Sequence, residues 1–343
     1  MVLLIVCLGM TAAGWAGESR PTIQWKGETM GSFYFVKAVD CTLAPTQLEQ
    51  VKKGIADRLT ELNRQMSHYI EDSELSRFNR AAANQPFKVS AEFAQVMRLS
   101  LEINRQSDGF FDPALGALIN LWGFGPKGGR HEPPPDTEIQ QAMQRVGAQH
   151  VKVTPDDELV KDIAGLQLDL GAITKGFGVD AMAGILLANN VSNFYAAISG
   201  EVYVHGYGPS GGPWRIGIDV PEFDALPGEA ISMVVPLSNL AISTSGNYRK
   251  YFRDHTNKVY AHILNPRTGR PLTHSLASVS IVATNCALAD ALATATYALG
   301  PERGLTFIEN QPEVSAYFIV RNADGTFRQF ASRRFPKSAP PAK

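Results

Sequence analysis

Apolar residues recur at three- and four-residue steps through Leu48, Val51, Ile55, Leu59 and Leu62, a spacing that gathers them on one face of an amphipathic helix. The same period starts at Ser90, a residue suited to an N-cap. It runs through Phe93, Val96, Met97 and Leu101 and stops at Ser107-Asp108-Gly109. A short helix is expected around Ile139 to Val146, ended by Gly147. A longer one runs from Lys175 through Val179, Met182, Ile185 and Leu186 to Asn189-Asn190, while Gly123 to Pro135 reads as loop. The pattern then changes. Phe194 to Val204, Trp214 to Asp219, Ile231 to Leu237 and Ser278 to Ala283 are rich in β-branched and aromatic residues, several alternate in polarity, and Gly/Pro turns separate them, so each is expected as a strand. A mostly apolar helix follows from Cys286 to Leu299, ended by Gly300-Pro301, and another starts near Glu302. Ala316 to Val320 and Thr326 to Phe330 read as a closing hairpin around Asp324-Gly325. No repeat and no linker divides the chain, so helices and strands belong to one body with intertwined lobes rather than to two separate beads.

Composition narrows the class. A chain of 343 residues with 44% hydrophobic and 19% charged positions has material for a sizeable core, and its 30 Gly and 21 Pro are too scattered for a low-complexity chain. Lys and Arg number 32 against 33 Asp and Glu, a formal charge of -1, so no global field draws the protein to nucleic acid or anionic lipid. Any phosphate must be held locally. Met1 to Ala13 is an apolar run too short to span a bilayer, and Gly14-Trp15-Ala16 supplies small residues for cleavage before Gly17. Residues 1–16 therefore read as a signal peptide, although no Lys or Arg precedes the run. Ile5-Val6 before Cys7 argues against a lipid-attachment site. Cys41 and Cys286, distant in sequence, make neither a metal site nor a disulfide framework. Pro336 to Lys343 reads as a disordered tail, leaving 17–335 as the folded unit.

Several familiar chemistries lack their signatures. Gly123, Gly125, Gly128 and Gly206, Gly208, Gly211 fit G-x-G-x-x-G, but each tract contains a Pro and neither opens a helix, so neither is a Rossmann turn. There is no Walker A, C-x-x-C, H-E-x-x-H or G-x-S-x-G.

Three segments carry positive signals. Asp290 and Thr294 lie at i and i+4 on an otherwise apolar helix, so a carboxylate and a hydroxyl share one face, the beginnings of an oxygen shell for Mg²⁺. The alternative is an Asp offsetting the helix dipole with Thr294 bonded back to the chain. Leu168 to Gly176 reads as strand, small-residue turn and helix start, which would set free N–H groups and Lys175 beside an anion; an ordinary turn with an exposed Lys remains the alternative. His262 ends a strand before the Pro266-Arg267-Thr268-Gly269 turn, which brings an imidazole near a guanidinium, although a single His is more often structural.

Those segments, in that order, resemble the ApbE family, the FAD:protein FMN transferases. Further matches are Glu28-Thr29-Met30-Gly31-Ser32, Tyr69 to Asn79, Gly109-Phe110-Phe111-Asp112-Pro113, Leu121 to Pro126, Ser243 to Arg249 and the His262 to Pro271 turn. The resemblance covers Gly27 to Phe335. It implies an exported, periplasmic enzyme, membrane-anchored only if its first segment is retained, with an α+β, T-fold-like body of mixed sheets and packed helices. It implies cleavage of FAD, transfer of FMN to a Thr or Ser hydroxyl of an acceptor protein, expected to be an electron-transport subunit, and release of AMP. A relative that binds or hydrolyses FAD without a protein acceptor is the alternative.

By position, Met30, Tyr69, Phe110, Phe111, Asp112, Asp169, Lys175 and Leu264 would line the FAD. The Ala172 carbonyl, Asp290, Ala293 and Thr294 would surround Mg²⁺. His262, with a pKa near 6.5, would be the general base, and Lys175 or Arg267 would neutralise charge. Three positions depart from the family pattern: Ser199 in Ser199-Gly200-Glu201, Ser32 for a frequent Thr, and Asn265 for the usual Asp.

Overall fold

The computed structural model describes residues 20–126 and 128–337. The expected signal peptide and residues 338–343 of the expected tail lie outside them.

The main sheet has eight strands whose spatial order is their chain order: β1 (Thr22–Thr29), β2 (Ser32–Val39), β3 (Phe194–Ile198), β4 (Glu201–His205), β5 (Leu240–Gly246), β6 (Leu276–Ala283), β7 (Ser315–Arg321) and β8 (Phe327–Ala331). Every pairing in it is antiparallel. Four excursions leave this meander. The longest, between β2 and β3, carries α1 (Pro45–Met66), α2 (Glu74–Arg80), α3 (Ala91–Gln106), α4 (Gly116–Leu121), α5 (Asp136–Met143) and α6 (Thr174–Ala188). The hairpin Trp214–Asp219/Ile231–Leu237 lies between β4 and β5, and two short hairpins lie between β5 and β6. The last excursion holds α7 (Cys286–Leu299) and α8 (Pro301–Glu309).

Alternation along the strands separates two apolar layers. In β7, Ala316, Phe318 and Val320 enter the core shared with the helices, while Tyr317 and Ile319 enter a second cluster roofed by Trp214, Ile216, Ile218, Val235 and Leu237. β6, covered on both faces, is buried at all eight positions. Helices on one face and a hairpin on the other make an α+β body, as expected. A third cluster around Trp122, Phe124 and Leu264 fastens α4 and α5 to the short hairpins.

Three expectations need correction. Phe194 to Val204 is two strands, because Ser199 takes a left-handed φ of 57° and reverses the chain so that Ile198 pairs with Glu201. The helix expected at Ile139 begins one turn earlier, at Asp136 behind Pro135, where Asp136 and Glu138 favour the positive helix start. The run at Leu168 joins no sheet. The Asn79 side-chain amide bonds both the N–H (2.8 Å) and the carbonyl (3.0 Å) of Leu168, supplying what a neighbouring strand would.

Candidate active site

The starts of α6 and α7 are tied together twice. Gly176 N–H, in the first turn of α6, donates to Asp290 Oδ2 at 3.0 Å. In return the first-turn N–H groups of α7, on Cys286 and Ala287, donate to the two carboxylate oxygens of Asp180 at 2.7 and 2.8 Å. A Cβ at position 176 would fall 2.3 Å from the Cys286 carbonyl, so only glycine permits this approach.

The contact buries charge. Asp290 is 4% exposed, and its carboxyl is pushed up to about 7 by burial and then by Glu201, against the pull of Lys175. Lys175 Nζ lies 3.3 Å from Glu201 Oε1, and that carboxylate holds the ammonium above its ordinary pKa despite burial. Glu201 Oε2 is buried without a partner. Ser245, near the end of β5, sets its Oγ 3.2 Å from Thr294 Oγ1, so the predicted Asp290/Thr294 face opens toward the end of the sheet.

Asp169 organises the adjoining wall. Its Oδ1 accepts the Gly171 N–H at 2.8 Å and its Oδ2 lies 2.9 Å from His68 Nδ1. Burial alone would raise its pKa, but the bond to His68 leaves it below the ordinary carboxylate value. Tyr69, 62% exposed, has its ring 4.4 Å from that of His68. Met30 sits in the β1–β2 turn with Gly31, both at positive φ, a strained conformation for Met. Behind this wall Lys161, 1% exposed, donates to the carbonyls of Phe78, Asn79 and Leu166 at 3.0, 2.9 and 3.0 Å, and burial lowers its pKa to about 8.

His262 follows the short strand Val259–Ala261. Its Nδ1–H donates to the Lys250 carbonyl at 3.0 Å, which leaves a lone pair on Nε2. The expected pKa near 6.5 is corrected to about 4: loss of hydration pulls it down, then the Lys250 ammonium does. The Arg267 guanidinium is engaged with other partners. That guanidinium bonds Asp108 at 2.5 Å and lies over the Phe110 ring at 4.6 Å, with Arg303 over the same ring at 4.5 Å. Lys250 acts on His262 and Asp169 and is itself pushed down by Lys175, which also acts on His262 more weakly than Lys250 does.

Several predicted lining residues act from inside. Phe111 is 3% and Leu264 4% exposed, each within an apolar cluster. The Asp112 carboxylate accepts the N–H groups of Ala114 and Ala148 at 2.7 and 3.3 Å. The side chains of these three residues are thus engaged within the protein. Ala293 is fully buried in α7, and Ala172 is part-buried just before α6.

Sequence reasoning missed His68, Asp180 and Lys250. Asp180 carried a usable signal, since it stands one turn after Gly176 on α6. His68 and Lys250 carried only adjacency to the Tyr69 and Ser243 to Arg249 motifs. Among the described residues no three His, Cys, Asp or Glu side chains converge on a metal position. A cation here would therefore depend on Asp290, the Thr294 hydroxyl and backbone carbonyls, an all-oxygen set suited to a hard ion that keeps water or phosphate oxygens in its shell. The carboxyl held near 7 and the unpaired Glu201 oxygen mark a surplus of negative charge that such an ion would relieve.

By fold the chain falls in the class of the flavin transferases of known structure. It aligns with the flavin transferase ApbE from Vibrio cholerae at a TM-score of 0.83 and 34% identity, covering 92% of this chain and 98% of that one. With the Pseudomonas stutzeri flavinyl transferase ApbE, apo form, the TM-score is 0.81 at 34% identity, over 92% and 96% of the two chains. In sequence it is 35% identical over 328 residues to a Vibrio cholerae protein named FAD:protein FMN transferase, 93% of this chain and 94% of that relative. The ApbE family model matches residues 30–318, and the chain belongs to the ApbE family.

Proposed function

We propose that the protein is an FAD:protein FMN transferase that uses Mg²⁺. The observation that carries the reading is the cluster of buried Asp290 and Glu201 with part-buried Lys175 where α6 and α7 begin, in a chain whose relatives bear that name. Asp290, Thr294 and the carbonyls of Ala172 and Ala293 would hold Mg²⁺, which when bound neutralises charge on the FAD pyrophosphate.

The chain's own groups do the rest. The N–H groups expected to be free at the start of α6 are taken up within the protein, that of Gly176 by Asp290 and that of Thr174 by the Leu170 carbonyl, so the Lys175 ammonium is the group there that would face a phosphate and stabilise charge developing in the transition state. The acceptor hydroxyl oxygen forms a bond to the phosphorus next to the riboflavin half, the bond from that phosphorus to AMP breaks, and the hydroxyl proton passes to His262 Nε2. A pKa of about 4 keeps this imidazole unprotonated, and so ready to accept, throughout the neutral range. The Met30 turn and the exposed Tyr69 ring offer apolar surface to the flavin.

The apolar Met1 to Ala13 run supports an exported, periplasmic enzyme, whose acceptor would be an electron-transport subunit carrying a Thr or Ser site. No helix among the described residues is long and apolar enough to cross a membrane. Incubating the protein with FAD, Mg²⁺ and a periplasmic and membrane extract of its host, then reading flavin fluorescence on a denaturing gel, tests the reading. A fluorescent band that withstands denaturation supports it. FMN and AMP accumulating with no labelled band would replace it with an FAD pyrophosphatase.

A further inference from the structure

His262 lies one position beyond the short hairpin Tyr251–Arg253/Val259–Ala261, in which Tyr251 pairs with Ala261 and Phe252 with Tyr260. The register carried one step further sets His262 opposite Lys250, and the His262 N–H donates to the Lys250 carbonyl at 3.1 Å. Directly opposite residues of an antiparallel pair share a face, as do positions two apart on one strand, so Lys250, Phe252, Tyr260 and His262 stand on one face of the ribbon. That face packs on the loop after α4. Phe252 stacks on Tyr260 at 5.2 Å, Trp122 meets Tyr260 at 5.8 Å, and Phe124 lies 5.7 Å from Phe252 and 6.3 Å, edge on, from the His262 ring.

Lys250 holds this arrangement from both of its ends. Its carbonyl also accepts His262 Nδ1–H at 3.0 Å, so one oxygen anchors the backbone and the ring of the same residue. Its ammonium donates to the Phe124 carbonyl at 2.7 Å and so fixes the loop whose ring borders the imidazole. The other face of the strand is pinned as well: Arg249 bonds Asp219 and donates to the Ala225 carbonyl at 2.8 Å, and the Tyr251 hydroxyl bonds Asp224. The ammonium beside the ring favours the neutral imidazole. Lys175, from α6, acts in the same direction more weakly, while the bond to the Lys250 carbonyl and the Asp169 carboxylate oppose them.

We propose that Lys250 is the positioning residue of the proton acceptor: through its own carbonyl and through Phe124 it sets the orientation and tautomer of the His262 ring and leaves Nε2 for the acceptor hydroxyl. The inference rests on the transferase reading above, in which His262 takes that proton.

Lys250→Met keeps the stem and the main-chain carbonyl but removes the ammonium, while Lys250→Arg keeps a cation and a donor; the residue is exposed, so both variants should fold. Single-turnover transfer to the polypeptide that the wild type labels, at saturating FAD, should fall roughly tenfold in Lys250→Met, the effect of one charge-assisted hydrogen bond lost from the placement of the base. FAD affinity should stay unchanged, and Lys250→Arg should recover most of the rate. In a His262→Ala background Lys250→Met should cost nothing further, because the ring it acts through is already gone. Followed by NMR in protein carrying labelled histidine, the His262 ring should titrate higher in Lys250→Met than in wild type by about half a unit or more. A tenfold loss that persists in the His262→Ala background, or FAD affinity falling in step with the rate, would overturn the proposal and make Lys250 a cation for the FAD phosphates. A rate within twofold of wild type in Lys250→Met, or a ring titration that does not move, would overturn it outright. If the wild type cleaves FAD but labels no polypeptide, the transferase reading itself fails; the ring titration needs no reaction and still tests the hold of Lys250 on His262.

Discussion

Replacing Asp290 with Asn separates what the buried carboxylate does for the reaction from what it does to the fold. The amide keeps an oxygen for the Gly176 N–H and nearly the same shape, but stays neutral at every pH. In the folded protein without metal, burial and then the Glu201 charge hold the carboxyl at about 7 against an ordinary 3.8, a difference worth roughly 4 kcal/mol. The folded pKa lies above the unfolded one, so the stability tied to the neutral form is complete below the unfolded value and is lost as pH rises through about 7. Asp290→Asn escapes that loss. Urea unfolding in a metal chelator should show the two proteins equal at about pH 4 and the variant ahead by roughly 2–4 kcal/mol at about pH 8. The same variant should lose FMN transfer, and Mg²⁺ with FAD should no longer raise its melting temperature as it does for wild type. A variant less stable than wild type at about pH 8 would refute the charge-crowding argument. Transfer near the wild-type rate at limiting Mg²⁺ would refute the metal assignment.

Other consequences can be checked independently. FAD with Mg²⁺ should raise the melting temperature more than FMN or NAD does, because stabilisation follows ligand affinity for the native state alone; equal shifts with all three would rule out a dedicated FAD site. His262→Ala should lose single-turnover transfer by roughly 10²-fold while keeping FAD affinity, since a base acts chiefly in the transition state; parallel loss of both would make His262 a binding group instead. With His262 held at about 4, the wild-type profile should show no loss of transfer attributable to its protonation near pH 6.5, and an inflection there that His262→Ala removes would contradict the burial argument. Lys161→Met leaves three buried carbonyls without their donor, partly offset by relief of a buried charge, and should destabilise the fold by roughly 2–4 kcal/mol in urea. Unchanged stability would show that water replaces the ammonium.

Local chemistry made much of this protein legible in its sequence. The i, i+4 placement of Asp290 and Thr294 on one helix face needs only the helical period. The faces of α1, α3 and α6 and the closing hairpin follow from the same kind of short-range pattern, and motif order along the chain was enough to place it in its family. The charge state of the site was not legible, because it depends on partners far apart in sequence. Asp290 meets Gly176 across 114 positions, and Asp180 meets Cys286 across 106, contacts that exist only once α6 and α7 pack. His262 drew its expected pKa from its own chemistry, and only burial beside Lys250 moved it. The strand-like look of Leu168 misled for a related reason: hydropathy records that a backbone is extended and covered, while whether a strand or the Asn79 side chain satisfies it is decided by what the fold brings alongside. Sequence determined which groups are available and which face of an element carries them. Packing decided which of them share a low-dielectric space, and there the interactions that set protonation and reactivity are strongest.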